Sequence, residues 1–169
     1  MNNNLFPSEQ QVCAAKILII DDETADIRVI EWGLQQGNYP NFRSVTDSTK
    51  AQKEFEQFQP DLVLLDLNMP GLDGFAVLKQ LRESAPAGEF LPMLVITGDT
   101  TSETRSRALA AGANDFLGKP IDYTEVRLRI RNLLQTRLLH RQAREIQAQL
   151  KTLSAGEGTK PQTKPGQKQ

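Results

Sequence analysis

The stretch DLVLLDLNMPG, residues 61–71, joins an uninterrupted apolar run to an acid and a turn. Positions 62–65 carry only Leu and Val, which predicts a strand that is buried on both faces of a sheet. The strand ends at Asp66, and Pro70 and Gly71 mark the turn that follows. The stretch therefore predicts a carboxylate at the end of a buried strand, with no Ser, His or Cys beside it to share its chemistry.

Strand and helix patterns alternate on both sides of this stretch. The predicted strands are 16–20, 41–47, 61–65, 92–97 and a short one within 113–120. The predicted helices are 24–36 capped by Thr24, 48–58 capped by Ser48, 74–83, one that reaches about Ala111, and a long one from about Asp122. This alternation predicts an α/β fold, a doubly wound parallel sheet with right-handed crossovers. The first, third and fourth strands are the most apolar and are expected at its centre.

Composition divides the chain into four parts. We expect a polar leader at 1–14, a globular domain at 15–135, a helical extension at 136–156 and a disordered tail at 157–169. The first 121 residues carry 10 Lys/Arg and 17 Asp/Glu, whereas the last 48 carry 10 and 4. We interpret the basic last 48 residues as containing a solvated, Arg-rich helix rather than a nucleic-acid interface.

No secretory signal and no run long enough to span a membrane is present in this sequence. A single cysteine, Cys13, leaves no partner for an internal disulfide. These features predict a cytoplasmic protein.

Polar side chains follow the predicted strands where the strands end. They are Asp21, Asp22, Asp66, Thr97 and Lys119. Because the carboxyl ends of parallel strands share one edge of the sheet, we expect these side chains to meet there. Three carboxylates that lie together repel one another, and a divalent cation with an ammonium group removes the conflict. Oxygen ligands favour Mg²⁺; the lack of nearby His and Cys disfavours zinc, and no P-loop motif is present.

An aspartate that is ionised at neutral pH can attack phosphorus without a general base. Cations and hydroxyl donors aimed at the phosphoryl oxygens then do most of the catalytic work. The predicted cluster therefore fits formation of an aspartyl phosphate.

Four pieces of the sequence, in this order and spacing, resemble the receiver (CheY-like) domain of bacterial two-component response regulators. The pieces are ILIIDD, LVLLDLNMPGLDGF, MLVITG and AGANDFLGKP, and the resemblance covers about residues 16–135. It implies a flavodoxin-like five-stranded sheet of order 2-1-3-4-5, with the long C-terminal helix added. It also implies a phosphoprotein of a phosphorelay system whose only catalysis is its own phosphorylation and dephosphorylation.

The resemblance assigns the acidic residues. Asp66 resembles the phosphoacceptor. Asp22 and Asp66 resemble direct Mg²⁺ ligands, Asp21 a ligand through water, and Asn68 a ligand through its backbone carbonyl. Asn68 and Asp99 occupy positions that tune dephosphorylation.

The remaining assignments concern recognition of the phosphoryl group. Lys119 resembles the lysine that contacts that group, and its bond to Pro120 is expected to be cis. Thr97 resembles the hydroxyl residue that moves towards the phosphoryl group. Phe116 occupies the position of the aromatic switch residue, whose ring turns inward when the hydroxyl moves. The two arrangements pre-exist, and phosphorylation shifts their populations.

Three rival sites are weaker. His140, the single histidine, is followed by Arg141, whereas an acid usually follows the phosphoacceptor histidine of kinases. The segment Asp66-Leu67-Asn68 lacks the second acid of a DxD phosphatase. A flavin site needs a Ser/Thr/Gly loop after the first strand, where the chain has Asp21, Asp22 and Glu23.

The long helix carries Leu139, Ala143, Ile146, Leu150 and Leu153 at 4-3-4-3 spacing, which is a short heptad seam. A homodimer through this helix and a surface helix that folds on a partner both remain open. The helix resembles linkers of regulators with further output modules.

We expect phosphorylation of Asp66 by a sensor histidine kinase or a histidine phosphotransfer protein, followed by altered protein docking. A phosphoryl shuttle or sink and a constitutive scaffold that uses the basic helix are the alternatives.

Overall fold

The computed structural model describes residues 6–71 and 73–156. Five strands lie in these ranges: β1 (Ile17–Ile20), β2 (Phe42–Val45), β3 (Leu62–Leu65), β4 (Met93–Thr97) and β5 (Asp115–Gly118). The α-helices there are α1 (Glu9–Cys13), α2 (Thr24–Gln36), α3 (Ala51–Phe58), α4 (Gly74–Ser84), α5 (Ser102–Ala110) and α6 (Tyr123–Gly156). A 3₁₀ turn at Ser48–Lys50 precedes α3.

All strand pairs are parallel, and the sheet order is β2-β1-β3-β4-β5. The predicted fold class, strand order and long final helix are therefore confirmed. The register places Ile20 opposite Leu65, so that Asp21 and Asp66 follow side by side at the carboxyl edge. Thr97 lies opposite Gly118 at the same edge. Register alone thus brings the ends of four strands to one place.

Alternate side chains of the central strands build two separate cores. Leu18, Ile20, Val63 and Leu65 face the side that α3, α4 and α5 cover. Ile17, Ile19, Leu62 and Leu64 face the side that α2 and α6 cover, with Val12 of α1 added. Because both faces are covered, these strands lack polar positions, as the sequence predicts for a central parallel sheet.

Two predicted helix caps are displaced by one residue. Thr24 is the first residue of α2, and Glu23 holds the cap position without a side-chain hydrogen bond. Ser48 begins the 3₁₀ turn, and the carboxylate of Asp47 caps it by accepting a hydrogen bond from the Thr49 amide. An acid one residue earlier satisfies the free amide as well as Ser48 would.

The predicted leader at 1–14 is only partly a leader. Within it, Ser8 and Gln11 form a capping box that starts α1. Val12 is buried in the second core, and Glu9 lies 2.8 Å from Arg131 of α6. Residues 8–14 therefore belong to the fold, because one apolar side chain and one ion pair dock them on α6.

Helix α6 stays on the domain longer than the sequence indicates. The predicted globular domain ends at 135, yet Arg137 and Leu138 are also buried. Arg144 still approaches Glu89 at 3.7 Å. The predicted tail at 157–169 lies outside the described residues. Within the described part, no helix is both long and apolar enough to cross a membrane.

Candidate functional site

The carboxyl edge of the sheet collects the polar side chains. Asp21 directly follows β1, Asp66 follows β3, Thr97 ends β4 and Lys119 follows β5. Asp21 and Asp66 are each 2% exposed and Thr97 is fully buried. The structure therefore brings together the residues that the topology predicts to meet.

Three carboxylates form a cluster at this edge. One oxygen each from Asp21, Asp22 and Asp66 lies within 4.8 Å of the others. Among the described residues, the buried Oδ1 of Asp22 has no hydrogen-bond partner. A buried oxygen without a donor is costly unless a cation or water satisfies it. An oxygen-only set with one unsatisfied carboxylate fits Mg²⁺, which prefers such ligands and keeps several waters.

The backbone turns after β1 and β3 orient two of these acids. Oδ1 of Asp66 accepts a hydrogen bond from the amide of Asn68 at 3.0 Å. Oδ1 of Asp21 accepts one from the amide of Glu23 at 2.8 Å. Each turn leaves the second carboxylate oxygen aimed into the site. Burial raises the pKa of Asp21 to about 6, and hydrogen bonds from Glu23 and Lys119 oppose this effect.

The ammonium of Lys119 lies among the acids. Its Nζ is 2.8 Å from Oδ2 of Asp66, 3.1 Å from Oδ2 of Asp21 and 2.6 Å from Oδ2 of Asp26. Burial lowers the pKa of Lys119, but hydrogen bonds to Asp26, Asp66 and Asp21 outweigh it and hold the pKa above its usual value. The lysine therefore stays charged and offsets part of the repulsion between the carboxylates.

Thr97 and its neighbours form a polar link beside Asp66. Oγ1 of Thr97 accepts a hydrogen bond from Nδ2 of Asn68 at 3.0 Å and one from the amide of Asp99 at 3.3 Å. The carboxylate of Asp99 instead accepts from the Thr101 amide and the Thr104 hydroxyl at the start of α5. These hydrogen bonds lower the pKa of Asp99 and turn its side chain towards α5.

Two residues near β5 complete the predicted set. The Lys119–Pro120 peptide bond is cis. The ring of Phe116 is 5% exposed and packs in the first core, with the guanidinium of Arg105 at 5.5 Å from the ring centre. The ring of Phe116 is therefore buried in this structure, and its role as a switch stays a prediction.

Sequence reasoning missed two residues of the site. Asp26, in the first turn of α2, is the nearest carboxylate to Lys119. Its place in the first turn of the helix that directly follows Asp21 and Asp22 could have revealed it. Gly74 is the second. A Cβ there would lie 2.7 Å from the carbonyl oxygens of Asp66 and Leu67 and would collide with the Cα of Leu67. The absence of a side chain lets α4 start directly against the turn that holds Asp66.

Comparison with known proteins agrees with this geometry. A model of the response regulator receiver domain matches residues 17–131. The chain belongs to the response regulator receiver family. Members of this family are signalling modules of two-component systems, and they bind Mg²⁺ at an acidic cluster such as the one described above.

Several curated receiver proteins are similar to this chain. The response regulator PleD of Caulobacter vibrioides is 34% identical over 135 residues, which cover 80% of this chain and 29% of PleD. The DNA-binding dual master transcriptional regulator RpaA of Synechocystis is 35% identical over 120 residues, 71% of this chain and 49% of RpaA. The chain thus spans about half or less of the length of the curated relatives it matches.

Solved receivers share the fold. A putative response regulator from Chloroflexus aurantiacus is 29% identical with a TM-score of 0.66, covering 72% of this chain and 98% of that one. NtrX from Brucella abortus is 30% identical with a TM-score of 0.71, covering 79% of this chain and 29% of that one. A CheY-like receiver from Methanospirillum hungatei is 22% identical and has a TM-score of 0.67. The match covers 73% of this chain and 96% of that one.

Proposed function

We propose that this receiver accepts a phosphoryl group on Asp66 in a Mg²⁺-dependent reaction and that the phosphorylated form docks differently on other proteins. The observation that carries the proposal is the buried Asp66 carboxylate, 2.8 Å from the ammonium of Lys119 and grouped with Asp21 and Asp22. A carboxylate in that position is oriented and faced by a cation, as a nucleophile towards phosphorus needs to be.

The donor is a phosphohistidine of a sensor histidine kinase or a histidine phosphotransfer protein. A carboxylate oxygen of Asp66 forms the new bond to phosphorus while the bond between phosphorus and the imidazole nitrogen breaks. The electron pair of the broken bond stays on the imidazole. In this step the ammonium of Lys119 and the hydroxyl of Thr97 stabilise charge on the phosphoryl oxygens. Self-phosphorylation and hydrolysis of the product are the catalysis that we assign to the chain.

The cation site supports this chemistry. Asp21, Asp22 and Asp66 would hold the ion, with the backbone carbonyl of Asn68 as a further ligand. Mg²⁺ at this position supplies positive charge to the carboxylates and to the phosphoryl oxygens. The unsatisfied oxygen of Asp22 is the feature of the chain that supports this assignment.

The proposed signal starts at Thr97. Its hydroxyl oxygen accepts a hydrogen bond from the side chain of Asn68, and its own proton is free to be donated to a phosphoryl oxygen on Asp66. Movement of Thr97 towards that group would break this link and shift the loop before α5. Because Phe116 is already buried, we assign the first change to Thr97 and not to rotation of the ring. The affected docking surface would be α5, β5 and the first turns of α6.

An apolar groove beside the site supports docking of a protein phosphodonor. It has a volume of about 760 Å³ and lies between α2 and the start of α6, directly after Lys119. Val29, Trp32 and Tyr123 line it and are 38–49% exposed. Exposed aromatic and aliphatic side chains next to a reactive carboxylate suit a protein partner that must hold its histidine at that edge.

Incubation with Mg²⁺ and acetyl phosphate, followed by intact mass measurement, tests the core of the proposal. We expect a gain of one phosphoryl group that EDTA prevents and that Asp66→Asn abolishes. The matched control is Asp73→Asn, which removes an exposed carboxylate from the same connection and should leave the gain intact. Labelling of Asp66→Asn to the level of the wild type would refute the assignment.

The lifetime of the product tests the tuning positions. If the Asn68 amide helps to orient a hydrolytic water, Asn68→Ala slows loss of the phosphoryl group. Asp99 is held by Thr101 and Thr104, so Asp99→Ala should change the decay less. An equal effect of both variants would mean that Asp99 leaves α5 in the phosphorylated state.

A further inference from the structure

The distal half of α6 extends past the globular domain and presents an apolar stripe. Helix α6 has 34 residues, so it is about 51 Å long at 1.5 Å per residue. Beyond Leu138, its apolar side chains no longer pack in either core. Ile146, Leu150 and Leu153 are 55%, 60% and 68% exposed. A regular apolar stripe of this kind on a helix needs an explanation beyond the fold of one chain.

Other side chains of the same helix clamp it to its own domain. Nη2 of Arg137 lies 2.8 Å from Glu89, and Nη1 donates to the carbonyl oxygen of Phe90 at 2.9 Å. The ring of His140 stacks on Phe90 with 4.9 Å between ring centres. Arg144 adds a longer pair with Glu89 at 3.7 Å. The extension is therefore held in one direction as it leaves the domain.

The arginines that clamp α6 and the apolar stripe occupy opposite sides of the helix. At about 100° per residue, the mean direction of Arg137, Arg141 and Arg144 differs from that of the stripe by roughly 170°, whereas His140 lies at the edge of the stripe, about 100° from its mean direction. The stripe is Leu139, Ala143, Ile146, Leu150 and Leu153. The helix can therefore stay bound to its own domain while the stripe meets another molecule.

We propose that the stripe, defined by these five residues, is the seam of a parallel two-stranded coiled coil with a second copy of this chain. In heptad terms Ala143 and Leu150 take a positions, and Leu139, Ile146 and Leu153 take d positions. The seam rises about 21 Å over its 14-residue span. Because the seam is short, we expect a weak dimer whose population changes between low micromolar and millimolar protein concentration.

The residues that flank the seam indicate which molecule pairs with it. In this register the g positions are Gln142 and Gln149, and the e positions include Gln147 and Ser154. In a parallel pair, g of one helix meets the following e of the other, so Gln142 faces Gln147 of the second copy and Gln149 faces Ser154. Both pairs can hydrogen-bond and neither carries charge. The flanks thus match a second copy and offer no charge for selecting an unlike partner.

The basic residues of this region do not oppose self-association. Arg141 takes an f position, and Arg144 and Lys151 take b positions, all on the side away from the seam. Arg141 and Arg144 are also directed towards Asp61 and Glu89 of their own domain at 3.6 and 3.7 Å. The positive charge of the helix therefore lies outside the pairing surface.

Sedimentation of the full chain from low micromolar to millimolar concentration tests the proposal. We expect a reversible monomer–dimer equilibrium and at least a tenfold weaker association for Leu150→Lys. The thermal midpoint of dilute protein should not fall, because Leu150 is exposed. The matched control is Phe6→Lys, which places the same charge on a 66% exposed apolar side chain before α1 and should leave the dimer intact. A chain that is monomeric throughout, or a dimer that survives Leu150→Lys, would overturn the proposal.

Cysteine cross-linking tests the parallel arrangement. In a Cys13→Ser background, Ile146→Cys and Leu153→Cys are introduced one at a time and oxidised. In the parallel pair each residue meets its own counterpart, so both variants should form the disulfide-linked dimer. Arg144→Cys, on the opposite side, is the control and should cross-link slowly. Rapid cross-linking at only one of the two seam positions would indicate an antiparallel pair and contradict the assignment.

Discussion

The ammonium of Lys119 lies closer to Asp26, at 2.6 Å, than to the candidate phosphoacceptor Asp66, at 2.8 Å. Asp21 takes a third contact at 3.1 Å. An ammonium group has three donors, and all three carboxylates lie within 3.1 Å of it. Asp26 is outside the acidic cluster suited to a cation, so metal binding would not release its hold on the lysine. A phosphoryl group on Asp66 therefore has to compete with Asp26 for Lys119.

Neutralising Asp26 should ease that competition. We expect Asp26→Asn to raise the initial rate of phosphorylation by acetyl phosphate about three- to tenfold, about 0.7–1.4 kcal/mol in the barrier. One donor of Lys119 becomes available, and one negative charge near the incoming anion is removed. Time courses of intact mass at several donor concentrations measure the effect.

Glu23→Gln is the control for the loss of charge alone. Its carboxylate is 64% exposed and 4.0 Å from Lys119, so the rate should change much less. Equal rates for Asp26→Asn and the wild type would show that Asp26 does not restrain the lysine.

Metal-free stability should depend on pH through Asp21. Its pKa is raised to about 6 in the folded protein, chiefly by burial, from about 4 in an unfolded chain. Between these values the folded state keeps a proton that the unfolded state releases, so stability is lost as pH rises from 4 to 6. At pH 7, Asp21→Asn should be more stable than the wild type by about 2 kcal/mol.

Urea midpoints with EDTA, from pH 4.5 to 7.5, measure this difference. Mg²⁺ at pH 7 should stabilise the wild type more than Asp21→Asn, because the ion offsets the charge that the substitution removes. Parallel pH curves for the two proteins would argue against the assignment.

The close packing around Gly74 predicts that adding a single methyl group there lowers both stability and the rate of phosphorylation. In Gly74→Ala the Cβ would meet the carbonyl oxygens of Asp66 and Leu67 at 2.7 Å, and backbone cannot yield as a flexible side chain can. We expect a loss of about 1–3 kcal/mol in unfolding free energy and slower phosphorylation, because α4 must move away from the Asp66 turn.

Gly98→Ala is the matched substitution at the same edge, since nothing lies within 4 Å of the Cβ it would add. Denaturant unfolding and phosphorylation rates of the two variants should therefore diverge. If Gly74→Ala unfolds and is phosphorylated like the wild type, the turn that holds Asp66 can move to make room for the methyl group.

A substitution in the groove beside Lys119 should distinguish the phosphorylation chemistry from binding of a protein partner. Trp32→Ala should leave phosphorylation by acetyl phosphate unchanged, because Trp32 packs on Tyr123 and is not among the residues that contact Lys119 or form the acidic cluster. Transfer from a phosphorylated histidine kinase should slow about thirtyfold or more, as loss of a central aromatic costs about 2 kcal/mol or more. Leu109→Ala, on the other side of the domain, is the control. Equal slowing with both donors would place Trp32 in the catalytic site and not in docking.

Much of this fold could be predicted from local pattern. The apolar run before Asp66, and its counterparts before Asp21 and Thr97, indicate buried parallel strands. Once strands alternate with helices, topology alone places their carboxyl ends, and the polar residues there, on one edge. The resemblance to receivers then assigned the roles, and the family match agrees with it.

Other features depend on contacts between distant parts of the chain. Asp26 belongs to the site because α2 packs so that its first turn faces Lys119, 93 positions later. Helix α1 joins the fold through Val12 and Arg131, and α6 continues along the domain through Arg137 and Glu89. No periodicity in the sequence encodes these pairs.

The sequence by itself determined the order of strands and helices, the chemistry available at the sheet edge and the heptad spacing in α6, because each of these is a local pattern. Only the tertiary structure decided which carboxylates share Lys119, that position 74 has no room for a side chain, and which side of α6 packs against its own domain. These depend on how close packing sets the distances between segments, and local preference does not specify those distances.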